Sequence, residues 1–189
     1  KYLGKYLILF SFCFILAVGC NSQNQSDTKP IDSNRISVGT TLKPRTLDPA
    51  DSYEIAGLNI LYNVAESLYT YEVGTTNIKP LLATAMPVID EAGLIYTIPL
   101  RTGVTFHDGA VFNAKAMAFS LQRFIENGGK PAFLLGDVIK SVEATGEYEL
   151  KITLKQPFAA FPALLAFPGA CAVSPQAYKI GAGEFNPNK

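Results

Sequence analysis

Polar and apolar positions divide the chain sharply near its start. Residues 6–18 are apolar except for Ser11, and every position over 21–27 is polar. Lys1 and Lys5 flank the start of the apolar run, and Gly19-Cys20 sits at the switch. A basic start, a short apolar stretch and a small residue before a cut site describe an export signal. The run is shorter than the roughly 20 residues a membrane-spanning helix needs. The pattern predicts a signal over 1–19, a flexible polar tether over 20–34 and a folded part over 35–189.

Within the folded part, residues 35–40 alternate polar and apolar and predict a first strand. Pro44, Asp48 and Pro49 then impose a loop. Leu58, Ile60, Leu61, Val64, Ala65 and Leu68 recur at helical spacing, which predicts a helix over 54–67 with Asp51 or Ser52 as its cap. A short strand over 68–72 closes in the Gly74-Thr75-Thr76-Asn77 turn. Residues 79–85 read as a helical turn or loop stopped by Pro87, and Val88-Ile89 as an extended pair before the turn at 90–93. A strand follows over 94–100, with Pro99 marking an edge or bend. Asn113 is placed to cap a helix over 114–126, with Met117, Leu121 and Phe124 on one side and Gly128-Gly129 ending it. Strands over 139–145 and 149–154 are joined by Gly146-Glu147-Tyr148. A short helix over 161–165, a buried strand over 170–173 and a Ser174-Pro175 helix start complete a mixed α/β pattern.

Charge removes one class of partner. The chain has 16 basic and 16 acidic residues, and no basic stripe that could neutralise a nucleic-acid backbone. Of three cysteines, Cys13 lies in the signal and Cys20 at its end, so Cys171 stands alone in the folded part and no internal disulfide is available. Its apolar neighbours predict a buried structural thiol. Signs of catalysis are missing. His107 is the single histidine, so no histidine pair exists to hold a metal. No G-x-S-x-G turn or glycine-rich phosphate loop occurs. His107-Asp108-Gly109 therefore reads as turn chemistry, and Asp48-Pro49 as a loop whose carboxylate bonds its own backbone. Phe158, Phe161 and Phe167 are expected in the core.

Two resemblances sharpen this picture. Ala17-Val18-Gly19-Cys20 resembles a lipobox, the site at which bacteria acylate a cysteine and cleave before it. It implies lipid attachment at Cys20 and an anchor in membrane lipid on the periplasmic side of the cell membrane. The second resemblance rests on four separated blocks. Thr46-Leu47-Asp48-Pro49 leads to a helix and then Val64-Ala65-Glu66-Ser67-Leu68-Tyr69. Lys79-Pro80-Leu81-Leu82-Ala83 follows. Arg101-Thr102-Gly103-Val104-Thr105-Phe106-His107-Asp108-Gly109 comes next, then Phe112-Asn113-Ala114-Lys115. Their order and spacing are similar to the peptide/nickel solute-binding proteins, extracellular solute-binding family 5. That family commonly has a Trp after the Leu-Ala block, where Met86 or Pro87 stands here.

The resemblance implies a two-lobed α/β fold of the periplasmic-binding-protein type II class, of which only the N-terminal part is expected in this chain. It implies a capture subunit that hands a peptide or similar small solute to an ABC transporter permease and ATPase complex. It implies no enzymatic activity, no cofactor and no metal, and a monomer. Leu47, Asp48, Pro49, Glu66, Leu68, Arg101, Phe106, His107, Asp108 and Gly109 are then structural motif positions. Thr41, Leu42, Lys43 and Pro44, after the first predicted strand, are the expected solute contacts, because ligands of α/β lobes sit beyond strand ends. The solute is left open among peptides, a nickel chelate and an oligosaccharide. Rival functions are an exported hydrolase and a sensor or chaperone lipoprotein on the same fold.

Overall fold

Strand β6 (Glu149–Leu154) lies inside a four-stranded antiparallel sheet of order β3-β4-β6-β5. Its partners are β4 (Ile95–Pro99) and β5 (Ile139–Ala144), with β3 (Val88–Ile89) pairing the outer side of β4. Alternate residues face the core, as a half-buried strand requires: Leu150, Ile152 and Leu154 from β6, Tyr96 and Ile98 from β4. This comes from a computed structural model that describes residues 36–177.

Helix α2 (Ala114–Glu126) packs across β5 and β6. Asn113 starts it: its side-chain oxygen accepts a hydrogen bond from the Ala116 amide at 3.0 Å. Ala114, Met117, Leu121 and Phe124 recur at helical spacing and are buried against the sheet. A short helix α3 (Phe133–Gly136) then buries Leu135 beside it. At the other side of the fold, helix α1 (Ile55–Val64) leads to a two-stranded antiparallel sheet of β1 (Tyr69–Tyr71) and β2 (Ile78–Pro80). Helix α4 (Phe161–Leu164) and a 3₁₀ turn (Pro168–Ala170) close the described chain.

Several expectations fail, each for a physical reason. Residues 36–40 form no strand, and Ile36 and Val38 are 91% and 83% exposed. Helix α1 stops at Val64, because Ala65 is already extended at φ −133° and ψ 156°. Neither Asp51 nor Ser52 caps it. Glu54 occupies the cap position without a side-chain capping bond, its carboxylate accepting instead from the Arg45 and Tyr53 amides, Asp51 is engaged by Arg45, and the Ser52 hydroxyl is buried without a partner. Residues 78–80 form β2 rather than a helical turn. Pro80 is tolerated there because it faces Tyr69 at a site where the ladder needs no amide hydrogen. Residues 170–173 are not a strand, and of them Ala170 and Cys171 are buried while Ala172 and Val173 are half-buried: the Ala172 amide bonds the Glu66 carbonyl and the Val173 amide bonds the Ser120 hydroxyl, one partner at a time.

Candidate functional site

The loop over 46–52 is built around Asp48. Its amide donates to the Thr46 hydroxyl, its Oδ1 accepts from the Ala50 amide, and its carbonyl accepts from Asp51 and Ser52. The same carboxylate takes both guanidinium nitrogens of Arg123 on α2, at 2.8 and 2.7 Å. The Asp48 side chain is 3% exposed and that of Arg123 is 11%. A bidentate pair this dry fixes the loop against α2 in one geometry. Gly129 lets the two come close: a Cβ there would overlap the Ala50 carbonyl oxygen. On the outer side Arg45 grips Asp51 through its side chain and its carbonyl, which holds the Asp51 carboxyl below its ordinary range.

Phe106-His107-Asp108-Gly109 is a tight turn between Thr105 and Val111, which bridge across it. The Gly109 amide donates to the Phe106 carbonyl, and the Phe106 amide to that of Ala110. Gly109 sits at φ 83°, open to glycine at no steric cost. Asp108 caps the turn through the Ala110 amide and receives the Ser174 hydroxyl at 2.5 Å. Those bonds, the Ser174 hydroxyl foremost, hold the exposed carboxyl below its usual range. Phe106 packs edge-on against buried Phe112, while His107 remains exposed.

Between this turn and the end of α1 runs a groove of about 600 Å³. Among the residues lining it are Tyr62, Val64 and Glu66, Tyr69 and Thr70, and Val104 to His107. Its lining is mostly apolar, with the Glu66 carboxylate and the His107 imidazole as the acid and the base along it. No cluster of three or more metal-ligating side chains occurs among the described residues. No helix among them is long and apolar enough to cross a membrane.

The candidate residues named from the sequence fall in separate places. Thr41, Leu42 and Lys43 are exposed and Pro44 is half-buried; none of the four lines the groove. Pro49 and Leu68 are buried, whereas Leu47 and Arg101 are exposed. Arg101 is held through its amide by the Leu82 carbonyl. Cys20 lies outside the described residues. Cys171 is 3% exposed, and burial pushes its thiol up to about 12. Phe161 is fully buried against Tyr96, Phe167 packs on Phe124, and Phe158 is 38% exposed. The Asp48–Arg123 pair is what residue-by-residue reading missed. A charged residue beside the buried stripe of α2 was its one trace, since such a group needs a partner.

Residues 77–188 match the profile of the bacterial extracellular solute-binding proteins, family 5 (middle). The chain belongs to this family. The glutathione-binding protein GsiB of Salmonella typhimurium is 41% identical over 137 residues, which cover 70% of this chain and 26% of that protein. Among solved structures, the periplasmic binding protein DppA from Helicobacter pylori, in complex with the peptide STSA, superposes with a TM-score of 0.62 at 29% identity. It covers 71% of this chain and 30% of that one. NikA from Brucella suis, in complex with Fe(III)-EDTA, gives a TM-score of 0.62 at 26% identity, over 71% of this chain and 27% of that one. The fold is thus part of the type II periplasmic-binding-protein fold, and the family and these neighbours are binding proteins rather than enzymes. The chain spans about a quarter of the length of the curated relatives it matches.

Proposed function

We propose that this chain is part of the capture subunit of an ABC-type importer for peptides or similar small solutes. The observation that carries this is the family match over 77–188 together with relatives named for binding glutathione, itself a tripeptide. Two-lobed binding proteins work by closing on a solute that contacts both lobes, and contacts present only in the closed form shift the population toward it. The exposed loop over 41–44 supplies this part's contacts. Lys43 there offers a cation to a solute carboxylate, and the loop is anchored at its far end by the buried Asp48–Arg123 pair. Cys20 carries the acyl anchor, and the residues over 21–34 tether the folded part to it. Captured solute passes to a permease driven by its ATPase.

The test is titration calorimetry on the full-length gene product with glutathione, tri- and tetrapeptide mixtures and a metal chelate. Saturable binding of glutathione or a peptide, weakened by Lys43→Glu, is the expected result. Heat with none of these solutes would remove the importer reading in favour of a sensor or chaperone.

A further inference from the structure

Asn127-Gly128 is the single Asn-Gly pair in this chain. It stands at the C-terminal end of α2, where Asn127 is the exposed cap residue and Gly128 turns the chain away at φ 63°. The chain on both sides of the pair is tied to one loop. On the helix side Arg123 holds Asp48 with both guanidinium nitrogens. On the other side Gly129 lies against the Ala50 carbonyl, where a Cβ would clash, and the Lys130 amide donates to Asp51 Oδ1 at 3.2 Å. The pair thus bridges two points fixed on the loop over 46–52.

We propose that Asn127-Gly128 is a self-modification site, at which the chain converts its own asparagine to aspartate and β-linked aspartate and so releases this loop. The Gly128 amide nitrogen attacks Asn127 Cγ, forms an N–Cγ bond and gives up its proton. The Cγ–Nδ2 bond breaks, and ammonia leaves with that proton. Solvent water then opens the cyclic imide. Opening at Cγ gives aspartate, and opening at the main-chain carbonyl carbon gives the β-linked residue. No electron is gained or lost overall. The geometry favours attack here. Glycine sets no Cβ beside the attacking nitrogen. The Gly128 amide is held by the Ile125 carbonyl at 3.3 Å, longer than the roughly 2.7–3.2 Å of an ordinary bond, and at a helix end, where bonds fray. Both residues are exposed, so water reaches them. Asp108-Gly109 is the contrasting pair: its carboxylate is engaged by the Ala110 amide and the Ser174 hydroxyl, and an ionised carboxylate is a poor electrophile. Either product places a negative charge where the helix dipole disfavours it. The β-linked residue also adds a carbon to the backbone between the two fixed points. That carbon displaces Gly129 from Ala50 and Lys130 from Asp51.

The experiment is timed incubation of the full-length gene product in mildly alkaline buffer, followed by peptide mapping with mass spectrometry. Position 127 is expected to gain the mass difference of hydroxyl for amine at least about ten-fold faster than Asn59, Asn63, Asn77 or Asn113. Two products of equal mass are expected, one of them β-linked by its fragmentation. Conversion at position 127 no faster than at those asparagines would overturn the site. Asn127→Gln is expected to abolish the gain, and a gain that persists in that variant would also overturn it. Hydrogen exchange reads the release of the loop. The Lys130 amide is expected to lose protection in the β-linked form and to keep it in Asn127→Asp, which brings the charge without the extra carbon. Equal protection in the two forms would overturn the link to the loop.

Discussion

At the scale of single residues, burial decides chemistry. Cys171 lies in a run that reads as core from composition alone, and its thiol is shut away from solvent and from partners. Burial raises its pKa from 9.0 to about 12. The sign follows. A raised native pKa stabilises the fold fully below the unfolded value, and that stability is lost as pH rises from about 9 towards about 12. Tyr69, also pushed up by burial, adds a loss of the same sign at higher pH. Denaturation midpoints are therefore expected to decline as pH is raised from about 9 towards about 12, the window this linkage sets. Cys171→Ala is expected to flatten the decline without abolishing it. An unchanged slope in that variant would place the alkaline sensitivity elsewhere.

At the scale of elements, the Asp48–Arg123 pair joins a loop to a helix. Asp48→Ala leaves a buried guanidinium without its carboxylate, which costs about 3–5 kcal/mol. Asp48→Ala combined with Arg123→Met is expected to recover most of that loss, since an apolar pair of similar volume often replaces a buried ion pair at little cost. Urea midpoints of the two variants measure the difference. Elements governed by local signals were legible. Asn113 announced α2 through its cap, and Gly146-Glu147-Tyr148 announced the β5–β6 hairpin. What was not legible depends on distant partners. Residues 79–85 read as a helical turn or loop, because nothing local showed that Pro80 would face Tyr69 in a non-bonded register. The apolar run at 170–173 predicted burial, which holds for Ala170 and Cys171, but not its hydrogen-bond partners, which come from Glu66 and Ser120. The ion pair spans 75 positions, and no periodicity within one sequence connects residues so far apart.

At the scale of the whole molecule, family membership was legible because its motifs are turns and caps, which keep their residue types. The Phe106-His107-Asp108-Gly109 turn shows why: glycine takes a positive φ, and the aspartate closes the turn and reaches Ser174. The solute was not legible, since in the proposed reading its contacts would come from different lobes. The proposed acyl anchor at Cys20 belongs to this scale as well. Cys20→Ser is expected to move the protein from the membrane fraction to the soluble fraction on cell fractionation, with folding unchanged. A variant that stays with the membrane would assign attachment to another segment.

The bond between Asp48 and Arg123 also sets a schedule. A ribosome adds about 5–20 residues per second. Arg123 therefore follows Asp48, 75 residues behind, by roughly 4–15 s. Until then Asp48 has no guanidinium to pair with, and its carboxylate stays in water. The loop is thus made well before the group that fixes it. A protease or holdase that meets the young chain finds this loop still open after the Asn113 cap has been synthesised.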